Sequence, residues 1–257
     1  MIIKKYKMTS VTKKSVSETG HTKNAASFQS LISFCSGFGE AYNPTKEALK
    51  VPQLKALLQA AQDSMDNTRA KKTSFDNATN SRKNVFADLK PLSTKIVNAF
   101  SVSGVDPLGI NNLKSVNKKI QGASSKKTDT SSNDLEPQPI KTISTSQQSY
   151  DKMIEHFSGM IEVLVQHPAY DPNEGDLKVA ALQTKLADMQ TKNSDLINSY
   201  TQYSNAMADR NLVMYNPLSG LVQTAKEVKQ YVKSVFGASS TQYKQINGIE
   251  FKTYKGA

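Results

Sequence analysis

Apolar residues recur at three- and four-residue spacing along two long stretches of the chain. The first runs through Val51, Leu54, Leu58, Ala61, Met65, Thr68, Phe75, Phe86 and Leu89. The second runs through Val179, Leu182, Leu186, Met189, Leu196, Tyr200, Tyr203, Met207 and Met214. Each reads as a single stripe on one long amphipathic helix. Segments 27–40 and 149–166 predict a shorter helix before each long one. Segments 92–101, 107–121 and 218–236 predict helices after them. No stretch alternates with the period of a strand, so the pattern predicts an all-α protein.

The two stripes are related. Residues 42–54 read YNPTKEALKVPQL and residues 170–182 read YDPNEGDLKVAAL, with six of thirteen positions identical. The match continues in register, since Leu54 to Arg82 and Leu182 to Arg210 each span 28 residues. Pro91-Leu92-Ser93 is echoed by Pro217-Leu218-Ser219, and the pair Ile120, Gly122 by Ile246, Gly248. Turn residues match as well as apolar ones, which composition alone does not produce. The chain reads as an internal duplication of one long-helix unit.

Asn43-Pro44 and Asp171-Pro172 each place a capping side chain before a proline, which predicts that the long helices start there. Pro91 and Pro217 are expected to end them, because proline cannot donate to the preceding turn. Helices of about 45 residues, roughly 65 Å long, follow from those limits. Short connections fold the flanking helices back antiparallel. One such unit is too thin to enclose a core, so the two copies are expected to stack as an elongated pseudo-two-fold bundle. The expected organisation is a disordered basic tail over 1–25, a first repeat over 26–122, a flexible linker over 123–147, a second repeat over 148–251 and a tail over 252–257. The linker earns its place by mixed charge, two prolines and many hydroxyls.

Composition adds compartment and charge. Of 257 residues, 37% are hydrophobic, which suits a thin molecule with much surface. No apolar run approaches the length of a membrane span, and the basic start has no apolar core after it. One cysteine, Cys35, excludes an internal disulfide and lies among Leu31, Ile32 and Phe38 as a small buried hydrophobe. These features predict a cytoplasmic protein that does not enter membranes. The net charge is +11. Basic residues exceed acidic ones by five over 1–25 and by six over 26–121, whereas acidic residues exceed basic ones by two over 147–242.

Catalytic patterns are missing from the sequence. His21, His156 and His167 show no ligand spacing and are expected to be solvated or associated with helix caps. Gly104 and Gly109 are spaced like a phosphate loop, but Ile110 and Asn111 stand where it needs Lys and Ser or Thr. No metal, cofactor or small-molecule ligand is expected, and the reading is that the protein is not an enzyme. Arg82 and Arg210 hold equivalent places in the stripes, and each guanidinium is expected to reach a carboxylate or a helix C-terminal carbonyl.

Lysine outnumbers arginine thirty to three, which argues against base-specific recognition, where arginine leads. Lysines binding phosphate as point charges remain a candidate chemistry. Lys114, Lys118 and Lys119 on segment 113–120, with Lys4, Lys5 and Lys7 near the start, are the candidate polyanion contacts.

The pieces SFQSLISF, YNPTKEALK, TISTSQQSYD and YVKSVFGASSTQYKQINGIEF resemble a family of uncharacterised bacterial tandem-repeat helical proteins. That resemblance implies a helical, cytoplasmic, bacterial protein and carries no activity. The ending, with Tyr243, Ile246, Ile249 and Phe251, is expected to dock back on the bundle. Two roles stand: a helical scaffold or assembly subunit that binds a protein or its own copies, and a lysine-mediated, sequence-independent nucleic-acid- or ribosome-associated protein.

Overall fold

The computed structural model describes residues 18–122 and 148–253. They form α1 (Glu18–Gly37), α2 (Val51–Phe86), α3 (Leu89–Ser101), α4 (Pro107–Gln121), α5 (Tyr150–Val165), α6 (Val179–Tyr215), α7 (Leu221–Phe236) and α8 (Thr241–Asn247), with short 3-10 turns. No strand occurs among the described residues. The protein is all-helical. The expected linker over 123–147 and the lysines at 4, 5 and 7 lie outside the described residues.

The long helices are shorter than the sequence suggests, 36 and 37 residues, or about 55 Å each. The expected starts at Asn43-Pro44 and Asp171-Pro172 are not helix starts. A helix begun at Pro44 would have to run through Pro52, which has no N–H for the preceding turn. The chain therefore stays extended at Lys50 (ψ 146°) and becomes helical at Val51, leaving Pro52 in the first turn, where no donor is required. The second copy, with Ala180 in place of Pro52, breaks at the same point, with Lys178 at ψ 139°.

What holds both breaks is a tyrosine. Tyr42 Oη donates to the Leu49 carbonyl at 2.7 Å, and Tyr170 Oη donates to the Leu177 carbonyl at 2.9 Å. Each buried bond, between residues seven apart, closes a mostly exposed loop over a 3-10 turn, Glu47–Leu49 in one and Gly175–Leu177 in the other.

Pro91 does not end a helix either. The chain turns at Ala87-Asp88, and Pro91 lies in the first turn of α3, where its missing donor is harmless. The Asx-proline signature does start a helix elsewhere. Asp106 Oδ1 accepts from the Leu108 and Gly109 amides at 2.8 and 3.0 Å, and Pro107 opens α4. Gly122 closes α4 in the left-handed region (φ 73°), which an L side chain rarely adopts.

The chain divides into two compact units, the first built from two separate stretches and the second from one continuous stretch. The first contains residues up to Lys72 together with those from Gln202 onward, and the second contains Thr73–Thr201. The division falls inside α2 and α6, so each unit owns part of both long helices.

The core of the first unit takes Phe28, Leu31 and Ile32 from α1, Leu54 and Leu58 from α2, Met214 from α6, Val228 and Val232 from α7, and Ile246 from α8. Cys35 is buried in it, as its sequence setting suggests, and burial pushes its thiol up to about 11. The core of the second unit takes Ile96 and Phe100 from α3, Leu113 and Ile120 from α4, Phe157 and Met160 from α5, and Leu182 and Met189 from α6. Each fully buried side chain of this size stabilises its unit by about 1.5–3 kcal/mol.

The expected disordered tail over 1–25 is corrected in its last part. Residues 18–25 belong to α1, because His21, Asn24 and Ala25 are buried against the rest of the first unit. At the other end, Ile249 and Phe251 pack on the first unit's core, as expected of the docked ending. Lys252 also belongs to that docked ending, since its main chain is bonded to Asn24.

Candidate functional site

The predicted lysine patch lies on α4, whose start and stop are fixed by Asp106 and Gly122. Lys114, Lys118 and Lys119 are all exposed. Lys114 and Lys118, four residues apart, share a helix face, and Lys119 turns away from them. Lys119 lines a groove with Val116, Asp151, Glu155, His156 and Gln190. It is thus drawn beside the carboxylates of α5. The structure keeps two lysines of the patch together and takes the third out of it.

Topology moves the basic character elsewhere. Among the described residues, the first unit holds thirteen Lys and Arg against eight Asp and Glu, and the second holds eleven of each, so the α4 lysines sit in the neutral unit. That residues up to Lys72 and from Gln202 onward fold into one unit is not legible in the sequence.

The histidines are less solvated than expected. His21 is buried, and its Nδ1 lies 2.8 Å from Tyr215 Oη. His156 is 7% exposed, and its Nε2 has no hydrogen-bond partner. Burial, with the Lys119 ammonium nearby, holds the His156 imidazole below its ordinary pKa. His167 does act at a cap: its Nδ1 lies 2.7 Å from the Val163 carbonyl in the last turn of α5. Its ring meets Phe100 edge-on at 5.2 Å. Among the described residues no group of His, Cys, Asp and Glu is placed to hold a metal ion.

Arg82 does not reach a carboxylate directly. Its guanidinium stacks 4.0 Å over the Tyr150 ring, and its Nη1 donates to Asn193 Oδ1 at 3.1 Å. Asn193 Nδ2 then donates to Asp151 Oδ1 at 2.7 Å, so an amide relays the charge. Arg210 is buried, and its Nε and Nη2 donate to Asn211 Oδ1 at 3.3 and 3.0 Å. Arg82 thus serves packing, through partners that its spacing does not indicate.

The most developed polar arrangement was not read from sequence. The stretch Asn247 to Lys252, where the chain leaves α8, lies beside α1 and α7 and is held through its main chain. Asn24, fully buried, donates from Nδ2 to the Lys252 carbonyl at 2.8 Å and accepts the Lys252 amide on Oδ1 at 2.7 Å. Ser27 Oγ donates to the Glu250 carbonyl at 2.9 Å. From α7, Lys229 Nζ donates to the carbonyls of Asn247 and Ile249. Burial holds the Lys229 ammonium below its ordinary pKa. Phe251 meets Phe28 edge-on at 6.5 Å. Asn24, Ser27, Phe28 and Lys229 each look like ordinary helix residues in sequence, so no signal marked them.

No protein-family model matches the chain, and neither a curated protein nor a solved structure is similar to it. No helix among the described residues is long and apolar enough to cross a membrane.

Proposed function

We propose that the protein is a non-enzymatic helical scaffold, built by internal duplication of a long-helix unit, that acts by binding a protein or its own copies. The repeated Tyr42–Leu49 and Tyr170–Leu177 loops support the duplication, since a buried bond of the same span precedes each long helix. The observation that carries the functional reading is where large apolar side chains meet water. Val102, at the end of α3, and Leu108, in the first turn of α4, are 85% and 76% exposed, and Leu218 is 81% exposed on the turn before α7. Large apolar side chains at either side of one short connection make a natural anchor for a partner. A cytoplasmic setting belongs to this reading, in keeping with a lone thiol kept in the core.

A second reading, lysine-mediated binding of nucleic acid without sequence preference, is favoured by the segregation of charge into the first unit. Light scattering with absorbance at 260 and 280 nm, run at low and high salt, tests both. The scaffold reading expects a clean tyrosine spectrum, since the chain has no Trp. It also expects association that Val102→Ser with Leu108→Ser weakens. Absorbance at 260 nm that disappears with salt would replace it by the second reading.

A further inference from the structure

We propose that the α1–α7 groove holding Asn247 to Lys252 is an exchange site, and that it takes the same segment from a second copy of the chain. The inference rests on the self-association reading above and names its contact.

The groove recognises the segment mainly as backbone. Asn24 reads both main-chain groups of Lys252, and Ser27 reads the carbonyl of Glu250 from the same helix. Lys229 reads the two carbonyls at Asn247 and Ile249 from α7. The segment is thus gripped through its main chain from two helices, α7 at its start and α1 at its end. Two side chains add selectivity, since Ile246 is fully buried and Phe251 packs on Phe28. An identical chain satisfies every one of these contacts without change, which a foreign peptide does not, so a second copy is the occupant of choice. Reciprocal exchange also closes a two-fold dimer and leaves no groove empty.

The segment is joined to α7 through the short turn from Gly237 to Ser240 and through α8, which is exchanged with it. Gly237 follows α7 at φ 90° and ψ 153°, a conformation that L side chains rarely adopt. Ser240 then caps α8 through the Tyr243 amide at 3.1 Å. A β carbon on Gly237 would meet nothing within 4 Å. A substitution there consequently strains the closed hinge without a clash. An exchanged hinge is released from that conformation, so the same substitution favours the dimer. In the unsubstituted chain the tethered segment competes at roughly millimolar effective concentration, so exchange rises as the protein is concentrated.

The test uses two full-length chains, one carrying Ser27→Cys and the other Glu250→Cys, folded together and joined by a short bis-maleimide. A single chain carrying both substitutions reports binding in cis. Cross-links between chains should increase from about 10 µM to about 1 mM protein. Gly237→Val should raise the association constant at least about tenfold, with each dimer relieving two strained hinges. If light scattering shows association but the links form only within the doubly substituted chain, exchange is overturned and self-association stands. If the protein stays monomeric with links only in cis, both fall. Should Gly237→Val fail to fold, Gly237→Ala and the concentration series with the natural hinge decide the matter by the same outcomes.

Discussion

Tyr42 and Leu49 are joined by a buried hydroxyl-to-carbonyl bond of 2.7 Å that closes the loop in front of α2. The bond ties the chain where it leaves α1 to the point where α2 begins, and so sets the angle between two core-forming helices. Tyr170 and Leu177 repeat it in the second unit, where burial and the nearby Glu174 and Asp176 carboxylates push the Tyr170 hydroxyl up to about 12. Tyr42→Phe and Tyr170→Phe each remove a donor and leave a buried carbonyl unsatisfied. Each should cost about 1–3 kcal/mol. Urea titrations should show a lower midpoint, with the slope unchanged if the compactness of the unfolded chain is unaffected. A midpoint identical to that of the unsubstituted protein would show that water replaces the bond.

Asn24 should be among the least replaceable polar residues. It is fully buried and answers both main-chain groups of Lys252. Asn24→Leu keeps the branched shape of the side chain and removes both bonds, leaving those groups to find water. The segment after α8 should then lose protection in hydrogen exchange, at the amide of Lys252 first, while α3, α4 and α5 keep theirs. Uniform loss of protection would mean that Asn24 supports the whole first unit rather than its docked ending.

The helices and most of the core were legible in the sequence, and the reasons differ by element. The stripe through Leu54 and Leu58, and that through Leu182 and Met189, became core because the three- and four-residue period survives folding. The late start of α2 is legible, since Pro52, eight residues after Pro44, forbids a helix through it, whereas nothing in the sequence marks the matching break before α6, where Ala180 stands in place of Pro52. The buried places of His21 and His156 were not legible, since burial depends on which helix packs opposite. Nor was the docking of Lys252 on Asn24, 228 residues away. A side chain reading a distant main chain leaves no periodic trace.

His156 should make stability depend on pH. Its lowered pKa means that the unfolded chain takes up a proton more readily than the folded one. The charged groups acting on it are Lys119 of α4, with Glu155 and Lys152 of α5. The contribution is complete above the ordinary histidine value of about 6.5 and is lost as pH falls from there to the lowered folded value. Denaturation midpoints should therefore drop between about pH 7 and pH 5, and His156→Gln should flatten that part of the profile. An equally steep profile in the substituted protein would assign the dependence to other groups.

Cys35 should report on opening of the first unit. Buried, with its thiol pushed up to about 11, it holds almost no thiolate near neutral pH. Modification by a thiol reagent should be slow in the folded protein and should accelerate in parallel with unfolding as denaturant is added. Fast labelling without denaturant would mean that α1 detaches locally.

The division of the chain into units makes one more outcome specific. Each core takes residues from both sides of segment 123–147: the first needs Phe28 and Leu54 together with Val228 and Ile246, and the second needs Phe100 and Leu113 together with Phe157 and Met189. A break between residues 123 and 147 therefore separates every core into two incomplete halves. Fragments 1–122 and 148–257, made separately, should show partial helicity without a cooperative transition, because each long helix loses the face it packs against. Mixed in equal amounts, they should recover the circular dichroism and the urea midpoint of a complex whose stability depends on concentration. Proteolytic cleavage within 123–147 of the folded protein should leave both cores intact at high concentration, since the same two fragments are already in place. Two fragments that each unfold cooperatively alone, and do not bind one another, would mean that each repeat carries a sufficient core by itself.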